Sequence, residues 1–166
     1  MFHIVLVEPE IPQNTGNISR TCAVTGTVLH MVRPFGFSLE DKYLKRAGLD
    51  YWDSLEVHYY DAFEEVEAAY PTARFFLTST HATRSYGDVR YQDGDFLVFG
   101  KETAGLGPAL LQRRGKDAIR IPMRPGQRSL NLSNSAAIVL YEALRQTGFA
   151  GLQEAGRFPG EMGPAL

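Results

Sequence analysis

Three stretches of this sequence concentrate polar side chains and glycines where an apolar run gives way to a helical pattern. The first is Pro9-Glu10-Ile11-Pro12-Gln13-Asn14-Thr15-Gly16-Asn17-Ile18-Ser19-Arg20. Asn14 and Thr15 suit a helix cap, Gly16 allows close backbone approach, and Arg20 follows one to two turns later. The same pattern suits a capped helix with a solvated arginine. The second stretch is Leu97-Val98-Phe99-Gly100-Lys101-Glu102-Thr103-Ala104-Gly105-Leu106. A glycine at a strand's carboxyl end lets a ligand touch the main chain, and a side chain at Gly100 is expected to fill ligand space. The third runs from Ile119 to Asn134 and ends in Ser129, Asn131, Ser133 and Asn134. One cap needs one such side chain, so the surplus offers donors and acceptors to a ligand. Neither G-x-G-x-x-G nor the lysine-containing phosphate loop is present.

These stretches must be held by the elements around them. Apolar runs near 2–7, 28–33, 73–79, 95–100 and 118–122, with a weaker one at 54–60, predict strands buried on both faces. Helical patterns fall at 15–25, ending at Gly26, and at 61–69, with Asp61 as cap. Others fall at 105–114 and 131–146, the last carrying the stripe Leu132, Ala136, Leu140, Ala143 and Leu144 before Gly148. Alternating strands and helices predict an α/β domain with a mostly parallel sheet and crossover helices. Ligands in such sheets bind beyond the carboxyl ends of the strands, where all three stretches lie. Residues 1–148 read as one domain, and the Gly- and Pro-rich 149–166 as a mobile tail.

The chain has 166 residues, 44% of them apolar, enough for one domain with a real core. No apolar run is long enough to span a bilayer, and no basic leader precedes the first strand, so cytosol is expected. One cysteine, Cys22, excludes an internal disulfide and a cysteine zinc cluster, and no stretch has metal-ligand spacing. With a net charge of −2, any grip on nucleic acid must come from a local patch. Arg33, Lys42, Lys45, Arg46, Arg124 and Arg128, with Arg20, are the candidates, although Lys42, Lys45 and Arg46 equally suit a solvated helix face. Tyr51 and Trp52 suit either base stacking or core packing. His3, His30, His58 and His81 lie outside the three stretches and read as surface or packing residues.

Taken together, Asn14…Gly16-Asn17…Arg20, then Phe99-Gly100-x-Glu102-x-x-Gly105-Leu106, then Ile121-Pro122-Met123…Ser129-Leu130-Asn131-Leu132-Ser133 resemble the three motifs of the SPOUT superfamily of methyltransferases. The likeness covers about residues 1–148. The opening Val7-Glu8-Pro9-Glu10-Ile11-Pro12-x-Asn14-Thr15-Gly16-Asn17 and the segment Ala47-Gly48-Leu49-Asp50-Tyr51 resemble the branch that methylates the ribose 2′-hydroxyl of the wobble nucleotide, position 34, in leucine tRNAs. This resemblance implies a C-terminal trefoil knot, S-adenosylmethionine as cofactor, no metal, tRNA as substrate, and a homodimer whose sites use both subunits. It further implies cofactor contacts at Leu77, Gly100, Ile121, Ser129 and Leu130. Arg20 would act on the target ribose. Asn14 and Glu102 would hold Arg20 or the pocket in shape, and Asn131 and Ser133 would line the substrate side. An arginine stays protonated in proteins, so orienting a phosphate and the ribose suits Arg20 better than acting as a base. Two rivals are a nucleotide-binding reductase or phosphotransferase, disfavoured by the missing fingerprints, and an idle RNA-binding module on the same fold.

Overall fold

The computed structural model describes residues 1–39 and 54–158. The expectations for Lys42, Lys45, Arg46, Tyr51 and Trp52, and for the segment 47–51, lie outside the described residues. Six strands, β1 (His3–Val7), β2 (Val28–Val32), β3 (Val57–Tyr60), β4 (Phe75–Thr78), β5 (Phe96–Phe99) and β6 (Ala118–Ile119), form one sheet in the order β3-β2-β1-β5-β4-β6. Every pairing between these strands is parallel. Among the described residues the α-helices are α1 (Pro12–Thr25), α2 (Phe63–Ala69), α3 (Pro108–Arg114) and α4 (Leu132–Gln146).

Period-two alternation sends successive strand residues to opposite faces. Ile4, Leu6, Leu29, Met31, Leu97 and Phe99 meet Ile18 and Cys22 of α1 and the α4 stripe of Leu132, Ala136, Leu140, Ala143 and Leu144. Val5, Val32, Leu77, Phe96 and Val98 meet Phe63 and Val66 of α2, with Leu110 and Leu111 of α3 packed against them. Complete burial of a side chain such as Ile18 contributes about 1.5–3 kcal/mol. The apolar stripes of α1 and α4 therefore cover the sheet.

Several boundaries differ from the sequence reading. Helix α1 starts at Pro12 with Ile11 as N-cap and no side-chain cap, so Asn14 and Thr15 lie inside it, buried. Proline tolerates the first helical position because its missing N–H would be unpaired there anyway. Asp61 does not cap α2; Ala62 holds that position, and the Asp61 N–H instead donates to Glu65 Oε2. Helix α3 begins at Pro108, because Gly105 takes a left-handed φ of 66° within a turn. Gly26 does end α1, at φ 67°. Phe149 and Leu152, beyond α4, pack against the α1/α4 core.

Strand β6 is shorter than the expected 118–122 because its two edges take different partners. Ile119 C=O accepts from the Ser79 N–H at 2.9 Å on the β4 side. Arg120 N–H donates to Arg84 C=O, and its C=O accepts from the Tyr86 N–H, both at 2.9 Å. The two limbs of the 79–86 loop thus flank the chain at 119–120.

Candidate active site

The sheet changes direction of growth between β1 and β5. From β1 the chain builds outward through β2 and β3, then returns to place β5 on β1's other edge. Such a switch point leaves a crevice between neighbouring loops at the strands' carboxyl ends. Here those loops are 8–11 and 100–107, and the crevice opens into a cleft of about 860 Å³. Its walls come from the loops after β4 (Thr78–His81), β5 (Gly100–Leu106) and β6 (Arg120 to Leu132), and from Ile11 and Asn14 of the first stretch.

One hydrogen-bonded chain runs along the lip. Glu102 Oε1 accepts from Asn14 Nδ2 at 3.1 Å and from the Ile11 N–H at 3.1 Å; Oε2 accepts the Glu10 N–H at 2.8 Å. Asn14 Oδ1 in turn accepts from Asn131 Nδ2 at 3.0 Å. Asn131 Oδ1 caps α4 by accepting the Asn134 N–H at 3.2 Å, and it also accepts from Ser133 Oγ at 2.7 Å. The carboxylate fixes which way the Asn14 amide faces, because that NH₂ must point to Glu102 and that oxygen to Asn131. Glu102 also takes up N–H groups that no residue of α1's own start satisfies.

The structure brings Asn14, Glu102 and Asn131 together, with Ser133 bonded to Asn131. Gly100, Ile121, Ser129 and Leu130 line the cleft. Leu77 is fully buried in the core under α2 and α3, and its neighbour Thr78 faces the cleft instead. Arg20 is exposed on α1 and does not border this cleft. Arg128 lines it, while Arg33 pairs with Asp61 at 3.1 Å and lies over the Phe35 and Tyr59 rings. Sequence reasoning missed Thr78, Ser79, Thr80, His81, Arg120 and Ser135 as cleft residues; the signal was present, since Ser79–His81 follow a strand's carboxyl end. Arg120 Nη1 bonds Thr80 C=O, tying two walls together.

Gly100 corrects one expectation. A Cβ there would lie 2.1 Å from Gly105 C and 2.2 Å from Leu106 N, which are parts of the chain itself. The glycine is required because the 101–105 turn folds back on it, closed by Gly105 N–H donating to Lys101 C=O at 2.8 Å. A side chain would collide with that turn rather than fill ligand space.

The cleft suits a nucleoside cofactor. Phe99, Leu106, Ile121 and Leu132 give it apolar lining, and residues 100–106 and 128–131 add polar groups around them. The buried Thr78 hydroxyl has no hydrogen-bond partner among the described residues. No group of three or more His, Cys, Asp or Glu placed to hold a metal occurs among the described residues. No described helix is long and apolar enough to cross a membrane.

A parallel α/β sheet with a cleft beyond the carboxyl ends of its strands defines the class, and the comparisons narrow it. The chain belongs to the SpoU rRNA Methylase family, whose model matches residues 1–141. A tRNA (cytidine(34)-2′-O)-methyltransferase of Burkholderia pseudomallei (strain 1106a) is 52% identical over 155 residues, 91% of this chain and 99% of that protein. A solved structure described as giving insights into the 2-OH methylation of C/U34 on tRNA is 44% identical, with TM-score 0.84 over 89% of this chain and 97% of its own. The SpoU methyltransferase AviRb from Streptomyces viridochromogenes, solved in complex with the cofactor AdoMet, is 27% identical, with TM-score 0.77 over 87% of this chain and 57% of its own.

Proposed function

We propose that this protein uses S-adenosylmethionine to methylate the ribose 2′-hydroxyl of nucleotide 34, a cytidine or modified uridine, in leucine tRNAs. The observation that carries the proposal is the Glu102–Asn14–Asn131 chain at the lip of a nucleoside-sized cleft, in a member of this family. When bound, the cofactor supplies a methyl group on a positively charged sulfur. Gly100, Ile121, Ser129 and Leu130 would hold it, with Leu77 carried as a further contact by the family resemblance. Asn131 and Ser133 face the incoming ribose. Arg20 grips the adjoining phosphate and turns the 2′-oxygen toward the methyl carbon. That phosphate would take the proton that the hydroxyl loses on methylation. Orientation of this kind supplies roughly 7–11 kcal/mol in well-aligned systems.

We read the protein as a homodimer acting on tRNA in the cytosol, with 1–148 as its single domain. Arg20 does not border its own chain's cleft, which suits a second subunit that brings it to one. Val24, one turn beyond Arg20, is 52% exposed, and Ile138 and Tyr141 of the neighbouring α4 are 37% and 47% exposed. An apolar face beside Arg20 suits a subunit contact that carries the arginine to the partner's cleft. The hydrogen bonds on both edges of residues 119–120 support a trefoil knot, with the chain to α4 passing through the 79–86 loop.

The test is methyl transfer from labelled S-adenosylmethionine to unfractionated tRNA and rRNA, followed by mapping of the modified nucleotide. The expected product is a single 2′-O-methyl at position 34 of leucine tRNAs. Methylation confined to rRNA, or to another tRNA nucleotide, would overturn the assignment.

A further inference from the structure

We propose that Glu10 is a positioning residue that fixes the Lys101–Gly105 turn, and so the cofactor it cradles, against helix α1; this rests on the function proposed above. The loops after β1 and β5 exchange carboxylates. Glu102 reaches across to the Glu10 and Ile11 N–H groups, and Glu10 reaches back. Glu10 Oε2 accepts the Thr103 N–H at 3.0 Å, and its two oxygens accept from Thr103 Oγ1 at 3.0 and 2.8 Å. A third tie lies alongside, where Lys101 Nζ donates to Glu8 Oε2 at 2.6 Å.

The geometry around Glu10 leaves its backbone little freedom. On one side Gly36 packs so closely that a Cβ there would lie 2.7 Å from Glu10 Cα, and its N–H donates to Pro9 C=O at 2.9 Å. Two residues earlier Glu8 sits at φ 52°, a left-handed conformation unusual for a residue with a side chain. Such strain persists only where surrounding contacts over-determine it. The Thr103 hydroxyl and N–H, bonded to it, hold the Glu10 carboxyl below the usual carboxylate range, as expected of an acceptor used in its charged form. The turn so held is also closed by its own Gly105–Lys101 hydrogen bond and tied through Glu102 and Lys101, and its residues 101–105 all border the cleft. Glu10 does not border the cleft itself, so it acts through Thr103.

Calorimetry with S-adenosylmethionine tests the clasp without needing an RNA substrate. Glu10→Ala is expected to weaken cofactor binding about tenfold, as loss of a charge-assisted pair would. Thr103→Val should do the same, because it loses the hydroxyl and distorts the N–H contact. The double variant should be little worse than either single one, since both remove one interaction. Thr103→Ser, which restores the hydroxyl, should recover the affinity lost in Thr103→Val. A purely structural role would instead appear as a lowered melting temperature with no such rescue. Glu10→Ala binding within twofold of the parent, or losses that simply add, would overturn the clasp. A parent that binds S-adenosylmethionine yet methylates no tRNA overturns the proposed function and leaves the clasp to these affinities. A parent that binds no S-adenosylmethionine overturns both.

Discussion

At the carboxyl ends of β1 and β5, polar side chains hold one another and face an open cleft. On the α2 side of the same strands, polar side chains are held by rings instead. His3 stacks on Phe96 with centroids 4.1 Å apart, and His30 meets the edge of Tyr70 at 5.4 Å. His3 Nδ1 and His30 Nε2 share a hydrogen bond of 2.9 Å, and His30 Nδ1 pairs with the Tyr60 hydroxyl at 3.2 Å. Burial pushes His30 down to about 3 and His3 down to about 4, with neighbouring positive groups adding to the effect. Strongly shifted titratable groups often mark functional sites. In this molecule the histidine shifts mark packing, and the cleft is built from hydrogen-bonded amides and carboxylates. The difference teaches that, under the proposed function, a lip of hydrogen-bonded amides and a carboxylate can orient reactants without a strongly shifted group.

The comparison breaks most sharply at Arg20. Arg20→Ala should lower methyl transfer to tRNA by at least about 100-fold, because misplaced reactants lose the benefit of orientation. Stability should move by no more than about 0.5 kcal/mol, as at other exposed positions. Cofactor affinity by calorimetry should stay near the parent's, since Arg20 does not border the cleft. Arg20→Lys should rescue poorly, because an ammonium lacks the planar fork. Activity within a few-fold of the parent would remove Arg20 from the reaction.

Gly100→Val comes next. Its side chain has to displace the Gly105–Leu106 peptide, so stability should fall by about 1–3 kcal/mol and cofactor binding should fall with it. Denaturant unfolding together with calorimetry checks this. A stable variant that has lost only the cofactor would restore the ligand-space explanation and refute the packing one.

The histidine side predicts a pH effect on stability alone. Both rings stay neutral when folded, while the unfolded chain takes up protons near pH 6.5. The stability is therefore fully present above that pH and falls as pH drops toward 4. For His30 the slope is about 1.4 kcal/mol per pH unit. Urea unfolding between pH 7.5 and 5 should show the decline, and His30→Gln, which cannot titrate there, should flatten it. An unchanged slope in His30→Gln would show that the decline arises elsewhere.

Much of this arrangement was legible in the sequence because strand ends and glycines are local signals. The five stronger apolar runs and the α4 stripe each became a buried element, and the three polar stretches met at one cleft. What stayed hidden depends on contacts between distant loops. Asn14 looked like a cap because cap propensity is local, yet Glu102 satisfies that helix start and draws Asn14 into the helix. Gly100 looked like a ligand contact because nothing nearby in sequence announces that Gly105 folds back upon it. The 78–81 wall, Thr78-Ser79-Thr80-His81, follows a strand's carboxyl end and was legible but overlooked, whereas the histidines adjoin only once β1, β2 and β3 pair.

Helix α1 has no cap of its own, and the carboxylate that completes its start lies 91 residues later along the chain. During synthesis the helix bearing Arg20 therefore emerges unfinished and waits for residue 102. A fragment ending before Glu102 would keep the helix's sequence yet lack its first-turn anchor. The part of the protein assigned to the target phosphate thus takes its final shape only after the loop assigned to the methyl donor has been made, which ties the maturation of one half of the reaction centre to the other.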